Sequence, residues 1–99
     1  MSLTIVRGQF VNQAGQPVRG QILIELTRST FDAVSAEKII PSRQVVALDA
    51  DGRFELGLWP NARGRDETRY RLTVAGLVLL FSLPDQPEVE LAEVVTLPG

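Results

Sequence analysis

The chain has 99 residues, 44% of them apolar and 22% charged, with a formal net charge of −2. That length makes one domain able to bury a core of its own, and the charge argues against a general nucleic-acid binder, which carries a basic excess. Cysteine and histidine are both absent, which removes disulfides, thiolate metal sites and every Ser-His or Cys-His nucleophile.

In chain order, Thr4 to Val11 reads as a strand whose apolar parity shifts across Gly8, which suggests a bulge there. Asn12 to Pro17 is turn chemistry, with Gly15 free to take positive φ and Pro17 fixing the exit. Ile22, Ile24 and Leu26 then alternate with Gln21, Leu23, Glu25 and Thr27, a strand with one face turned firmly inward. Arg28 to Pro41 has weak helical spacing. A helical turn capped by Ser29 or Thr30 is one reading, and a long surface loop is the favoured one. Ile39 and Ile40 cannot both face water, so at least one packs on the sandwich edge.

Gln44 to Leu48 is a strand with Val46 and Leu48 on one face and Val45 and Ala47 on the other. Asp49-Ala50-Asp51-Gly52 turns the chain as a hairpin, and Arg53 to Trp59 returns with Phe54, Leu56 and Leu58 on one side. Pro60 ends that strand by removing a donor, and Asn61 suits the turn that follows. A polar loop leads to Tyr70, Leu72 and Val74, which alternate with Arg69, Arg71 and Thr73. Gly76-Leu77 reads as a short turn, and Val78 to Leu83 as a strand stopped by Pro84. Val89 and Leu91 alternate with Glu88, Glu90 and Ala92. The fold expected is all-β: a single antiparallel β-sandwich of about seven strands, an Ig-like or prealbumin-like Greek key. It spans residues 1–94, with 95–99 a tail or the start of a linker.

Five constellations carry candidate chemistry. Asp49-x-Asp51-Gly52 with Glu55 has part of a calcium-loop pattern, but Arg53 and Phe54 interrupt it and a tight turn selects the same residues. No metal and no cofactor are therefore expected. Arg63, Arg65, Arg69 and Arg71 form the one basic concentration. Without exposed interleaved aromatics they read as a solvated loop or an arginine-rich protein contact rather than a nucleic-acid platform. Asp85, Glu88, Glu90 and Glu93 are the acidic counterpart, either an ordinary charged edge or a patch that meets another subunit's arginines. A Ser-Lys pair can be written from Ser29, Ser35 or Ser42 with Lys38, and paired carboxylates need no histidine. No motif supports either, and no enzyme is expected.

Two resemblances narrow the reading. Val6-Arg-Gly-Gln-Phe-Val-Asn-Gln-Ala-Gly-Gln-Pro-Val18, Ile22-x-Ile24 and Asp51-Gly-Arg-Phe54 resemble the signature of transthyretin-like and carboxypeptidase regulatory-like sandwiches. The chain departs from the peptidase-associated versions after Trp59, where a long polar loop replaces their tighter turn. The segment from Asp51 to Gly64, with its Leu-Trp-Pro-Asn run and the following Tyr70-Arg-Leu-Thr-Val74, is similar to one recurring in tailed-bacteriophage virion proteins. That likeness implies a non-catalytic structural module of a tail fibre, baseplate or related tail component, located in the virion tail and soluble when expressed alone. It implies association with other virion proteins and with further copies of itself, and carries no catalytic residues. The candidate interface is Trp59, Asn61, Arg63, Arg65, Arg69, Arg71, Glu88, Glu90 and Glu93. The alternatives are a sandwich that binds a host receptor or surface glycan, and an accessory domain of a larger secreted protein. Neither nucleic-acid binding nor membrane insertion is expected. The longest nearly apolar run, Ala75 to Leu83, is far short of the ~20 residues a spanning helix needs, and Met1 to Phe10 lacks the pattern of a signal peptide.

Overall fold

The computed structural model describes residues 2–97. It is an all-β sandwich. The strands in chain order are β1 (Thr4–Gln9), β2 (Gln21–Leu26), β3 (Thr30–Phe31), β4 (Lys38–Ile39), β5 (Gln44–Ala47) and β6 (Arg53–Leu58). A 3-10 turn (Asn61–Arg63) follows, then β7 (Tyr70–Val74), β8 (Leu77–Phe81), β9 (Glu88–Glu90), a one-turn helix α1 (Leu91–Val94) and β10 (Val95–Leu97). Three strands, in the order β6-β1-β9, form one sheet, and five, in the order β10-β8-β7-β2-β5, form the other. β3 and β4 make a separate short hairpin. Pairing is antiparallel except between β1 and β9, which run parallel.

Alternation places the core as the sequence led one to expect. Ile22, Ile24 and Leu26 of β2, Phe54 and Leu58 of β6, and Tyr70, Leu72 and Val74 of β7 are all buried. They close against Val6, Phe81, Leu83 and Leu91, and removing that apolar area from water is the main force holding the two sheets together. Val46 and Leu48 pack against this core, whereas Val45 and Ala47 are exposed. Of the two isoleucines before Pro41, Ile39 packs on the core and Ile40 is exposed.

Several local expectations are corrected. Gly8 is not a bulge, because the β1–β6 register runs without a break from Thr4↔Leu58 to Gln9↔Arg53. Residues 4, 6 and 8 point inward together, and a Cβ on Gly8 would stand 2.5 Å from the Phe54 ring. A glycine there lets the aromatic ring lie against the strand. The segment from Arg28 to Pro41 is neither a helix nor a plain surface loop: it is the β3–β4 hairpin, with Thr30 and Asp32 buried. The next turn is Ala75–Gly76, one residue earlier than expected, with positive φ at both positions. Primed turns of that kind match the twist of a two-residue hairpin. Finally, the segment expected to be a tail supplies β10 over Val95–Leu97, antiparallel to β8. Pro98 and Gly99 lie outside the described residues.

The turn at Asp49 also does something other than close a hairpin within one sheet. It carries the chain from β5, the edge of the larger sheet, to β6, the edge of the smaller one. The Asp49 carboxylate accepts from the amides of Asp51 (2.8 Å) and Arg53 (2.9 Å). These two bonds hold its pKa below the ordinary value, the Arg53 amide foremost. The oxygen that a calcium site would want is thus used by the turn itself. Gly52 has φ +77°, and a Cβ there would stand 2.3 Å from the Phe10 carbonyl oxygen, which itself accepts from the Val18 amide. The Gly52 carbonyl accepts in turn from Phe10. Left-handed strain and a backbone clash therefore combine at this one residue, so Gly52→Ala is expected to lower stability by about 3 kcal/mol. Urea denaturation would show this as a reduced midpoint with an unchanged slope.

Candidate functional site: the Trp59 end of the sandwich

β6 ends at Leu58 and the chain leaves its sheet through Trp59-Pro60-Asn61, all three buried. Pro60 has no amide hydrogen to leave unpaired at the strand end. The 3-10 turn closes with the Arg63 amide donating to the Pro60 carbonyl at 3.1 Å and the Gly64 amide to Asn61 at 2.9 Å. Asn61 then fastens the loop to two other segments. Its Nδ2 donates to Thr68 Oγ1 (2.8 Å) and its Oδ1 accepts from the Leu83 amide (2.8 Å). Tyr70 Oη donates to the Trp59 carbonyl at 2.7 Å, and burial pushes that phenol above its usual pKa, so it remains a donor.

The β3–β4 hairpin covers this loop through Asp32, whose side chain is sealed from solvent. Its Oδ1 accepts from the amides of Val34 (2.8 Å) and Ser35 (3.0 Å), and its Oδ2 from the Trp59 indole N–H (2.9 Å). Arg63 Nη2 donates to Oδ1 at 3.4 Å. Arg63 Nε lies 3.1 Å from Oδ2, but its hydrogen is not aimed along that line and finds no acceptor. The contact is thus an ion pair more than a directed hydrogen bond. Together, the Ser35 amide first, then the indole, the Val34 amide and the guanidinium, these hold the Asp32 carboxyl well below the usual carboxylate range. A carboxylate so fully occupied is a structural anion, unsuited to passing protons at neutral pH.

Backbone bonds complete the seam. Ala33 donates to the Arg63 carbonyl (2.8 Å) and Arg65 to the Phe31 carbonyl (2.9 Å). Thr30 Oγ1 donates to Asp66 Oδ2 at 3.1 Å and accepts from the Asp66 amide at 3.2 Å. Outside this seam, Phe31 is half-buried, with Lys38 Nζ 4.4 Å and the Arg65 guanidinium 4.7 Å from its ring centre.

The nine candidate interface residues separate into two kinds. Trp59 and Asn61 are buried, and Arg63 is largely covered while paired with Asp32. These three hold the loop together and are not presented at the surface of the domain. Arg65 and Arg71 are exposed and Arg69 is half-exposed, with Arg69 3.3 Å from Glu67. Glu88, Glu90 and Glu93 are exposed along β9 and α1. Glu88 pairs with Arg7 at 2.8 Å, and Arg7 also holds Glu55 at 2.9 Å. The arginine loop and the acidic edge thus have intramolecular partners for part of their charge. Of the residues in the Ser-Lys combinations, the Lys38 ammonium lies over Phe31 and Ser35 Oγ accepts from the Glu37 amide.

Asp32, Thr30 and Thr68 lie outside the nine candidate interface residues, and Thr30 stands out in the sequence only as a helix-cap candidate. An aspartate two residues before Val34 and three before Ser35 is the pattern of a side chain capping its own turn, which was the available signal. Its reach to Trp59, 27 positions away, had none. No protein-family model matches the chain, and no curated protein matches it.

Two outcomes are expected. Trp59→Ala removes a buried ring and the Asp32 donor together and should destabilise the domain by about 3–5 kcal/mol, measured as a lowered urea midpoint. Asp32 is ionised in the fold at pH values where the unfolded chain would protonate it. Its contribution is complete above about pH 4 and is lost as pH falls below that range toward its folded value. Asp32→Asn should therefore be less stable than wild type at neutral pH, and melting curves recorded down to acid pH should converge as the wild type loses this contribution.

Proposed function

We propose that the chain is a non-catalytic structural module of a tailed-bacteriophage virion, a component of a tail fibre, baseplate or related tail part that works by protein–protein association. The observation that supports this reading is how the phage-like segment is used. Within Asp51 to Gly64, Trp59, Pro60 and Asn61 are buried, and the side chains of Trp59 and Asn61 are hydrogen-bonded inside the domain. Its polar atoms build a rigid end cap and leave none of these three groups directed at a small ligand. What the domain offers to others is its sheet faces and edges, and association is the chemistry that such surfaces perform.

The glycan-binding alternative draws less support. Stacking on a sugar wants an accessible aromatic face, and Trp59 is buried while Phe31 is half-covered beneath Lys38 and Arg65. Light scattering on the purified chain, paired with a glycan-binding assay, separates the two. An oligomer, or a stable complex with another tail protein, without glycan binding is expected. A strict monomer that binds glycans would overturn the association reading.

A further inference from the structure

The two sheets have outer faces of different character. On the three-stranded sheet the outer face carries a charged cluster satisfied in place, Arg7 between Glu55 and Glu88, beside Ile5 and Gly57. On the five-stranded sheet, the register sets Val45 beside Leu23, Leu23 beside Thr73, and Thr73 beside Val78. This is one row across four strands. Val45 is 55% exposed and Val78 is 46% exposed. Two residues along the strands, the neighbouring row sets Glu25 directly beside Arg71. Among the described residues, neither Glu25 nor Arg71 is part of an ion pair.

That arrangement is self-complementary. Within the four strands β8-β7-β2-β5 that carry this row, β7 and β2 are the inner pair and β8 and β5 their outer neighbours, with β10 beyond β8. A two-fold axis lying in the contact plane, parallel to the strands and between β7 and β2, exchanges β2 with β7 and β5 with β8. Height along the strand is unchanged by this rotation. Glu25 of one copy then stands over Arg71 of the other, and Arg71 over Glu25. Val45 meets Val78, and Leu23 meets Thr73. Aligned sheets pack face to face in this way, about 10 Å apart, and an isologous contact needs each patch to complement itself.

We propose that the outer face of the five-stranded sheet is a two-fold self-association surface, its partner a second copy of this chain. The proposal rests on the association reading above and specifies the surface. The four strands that overlap measure roughly 19 Å across and roughly 17 Å along them. That is on the order of 300 Å² in projection, below the ~800 Å² per partner of a stable interface, so a micromolar dimer is expected.

The test is sedimentation equilibrium of the full chain from about 1 to about 200 µM, a range that brackets micromolar affinity. Glu25→Arg and Arg71→Glu are measured singly and together, with folding checked by circular dichroism. Each single reversal sets like charges face to face across the axis and should weaken the dimer at least about ten-fold. The double reversal restores both pairs and should recover association. Because a single reversal also juxtaposes like charges within one sheet, Val45→Glu provides an independent variant. It sits at an exposed edge position, so its melting should match wild type while the dimer is lost. A wild-type chain that stays monomeric throughout the range overturns this surface; if it also binds no glycan, association with a different protein still stands. A dimer indifferent to both single reversals and to Val45→Glu overturns the surface while the association reading survives.

Discussion

The Asp32 carboxylate is the interaction on which this end of the molecule depends. Two long connections, from β2 to β5 and from β6 to β7, would otherwise leave polar backbone and an indole with nothing to bind. A buried anion is costly unless it is paired and hydrogen-bonded. Asp32 meets that condition with two amides of its own hairpin, the Trp59 indole and the Arg63 guanidinium. The hairpin and the loop thereby become one layer closing the sandwich. Asn61 binds the same layer to the segment after β8, and Tyr70 ties it to the core of the larger sheet.

The architecture follows from where the chain changes sheets. It passes between them at the Asp49 turn and again through the Trp59 loop, so β6 belongs to the smaller sheet while its sequence neighbours β5 and β7 belong to the larger one. Both inner faces are apolar. The outer faces differ: one carries a local network around Arg7, and the other a partly apolar row beside Glu25 and Arg71, cross-strand neighbours that form no ion pair among the described residues. A charged face whose partners lie within the same protomer has little to gain from a second chain. The face on which Glu25 and Arg71, among the described residues, form no ion pair is the one that has a reason to meet another copy.

The strands were legible where alternation ran long enough to fix a face, as at Ile22, Ile24 and Leu26 or Phe54, Leu56 and Leu58. Legibility failed where a residue's role depended on something distant. Gly8 looks like a bulge in its own strand, and only the Phe54 ring across the pair explains it. Thr30 and Asp32 lie in a polar stretch that reads as solvent-exposed loop, yet the indole and guanidinium they meet come from the β6–β7 connection. Arg63, grouped by sequence with Arg65, Arg69 and Arg71, is set apart from them by Asp32 alone. The candidate surface consequently lost Trp59, Asn61 and Arg63 to the interior of the domain.

The sequence by itself determined an all-β sandwich, the inward face of its main strands and the places where glycine and proline turn the chain, because these follow from period-two patterning and local backbone sterics. Tertiary structure alone decided which sheet each strand joins, that β9 runs parallel to β1, and which polar side chains are buried. Those outcomes depend on pairing and burial between residues far apart in the chain, and local patterning cannot distinguish a charged side chain that faces water from one that finds its partner inside.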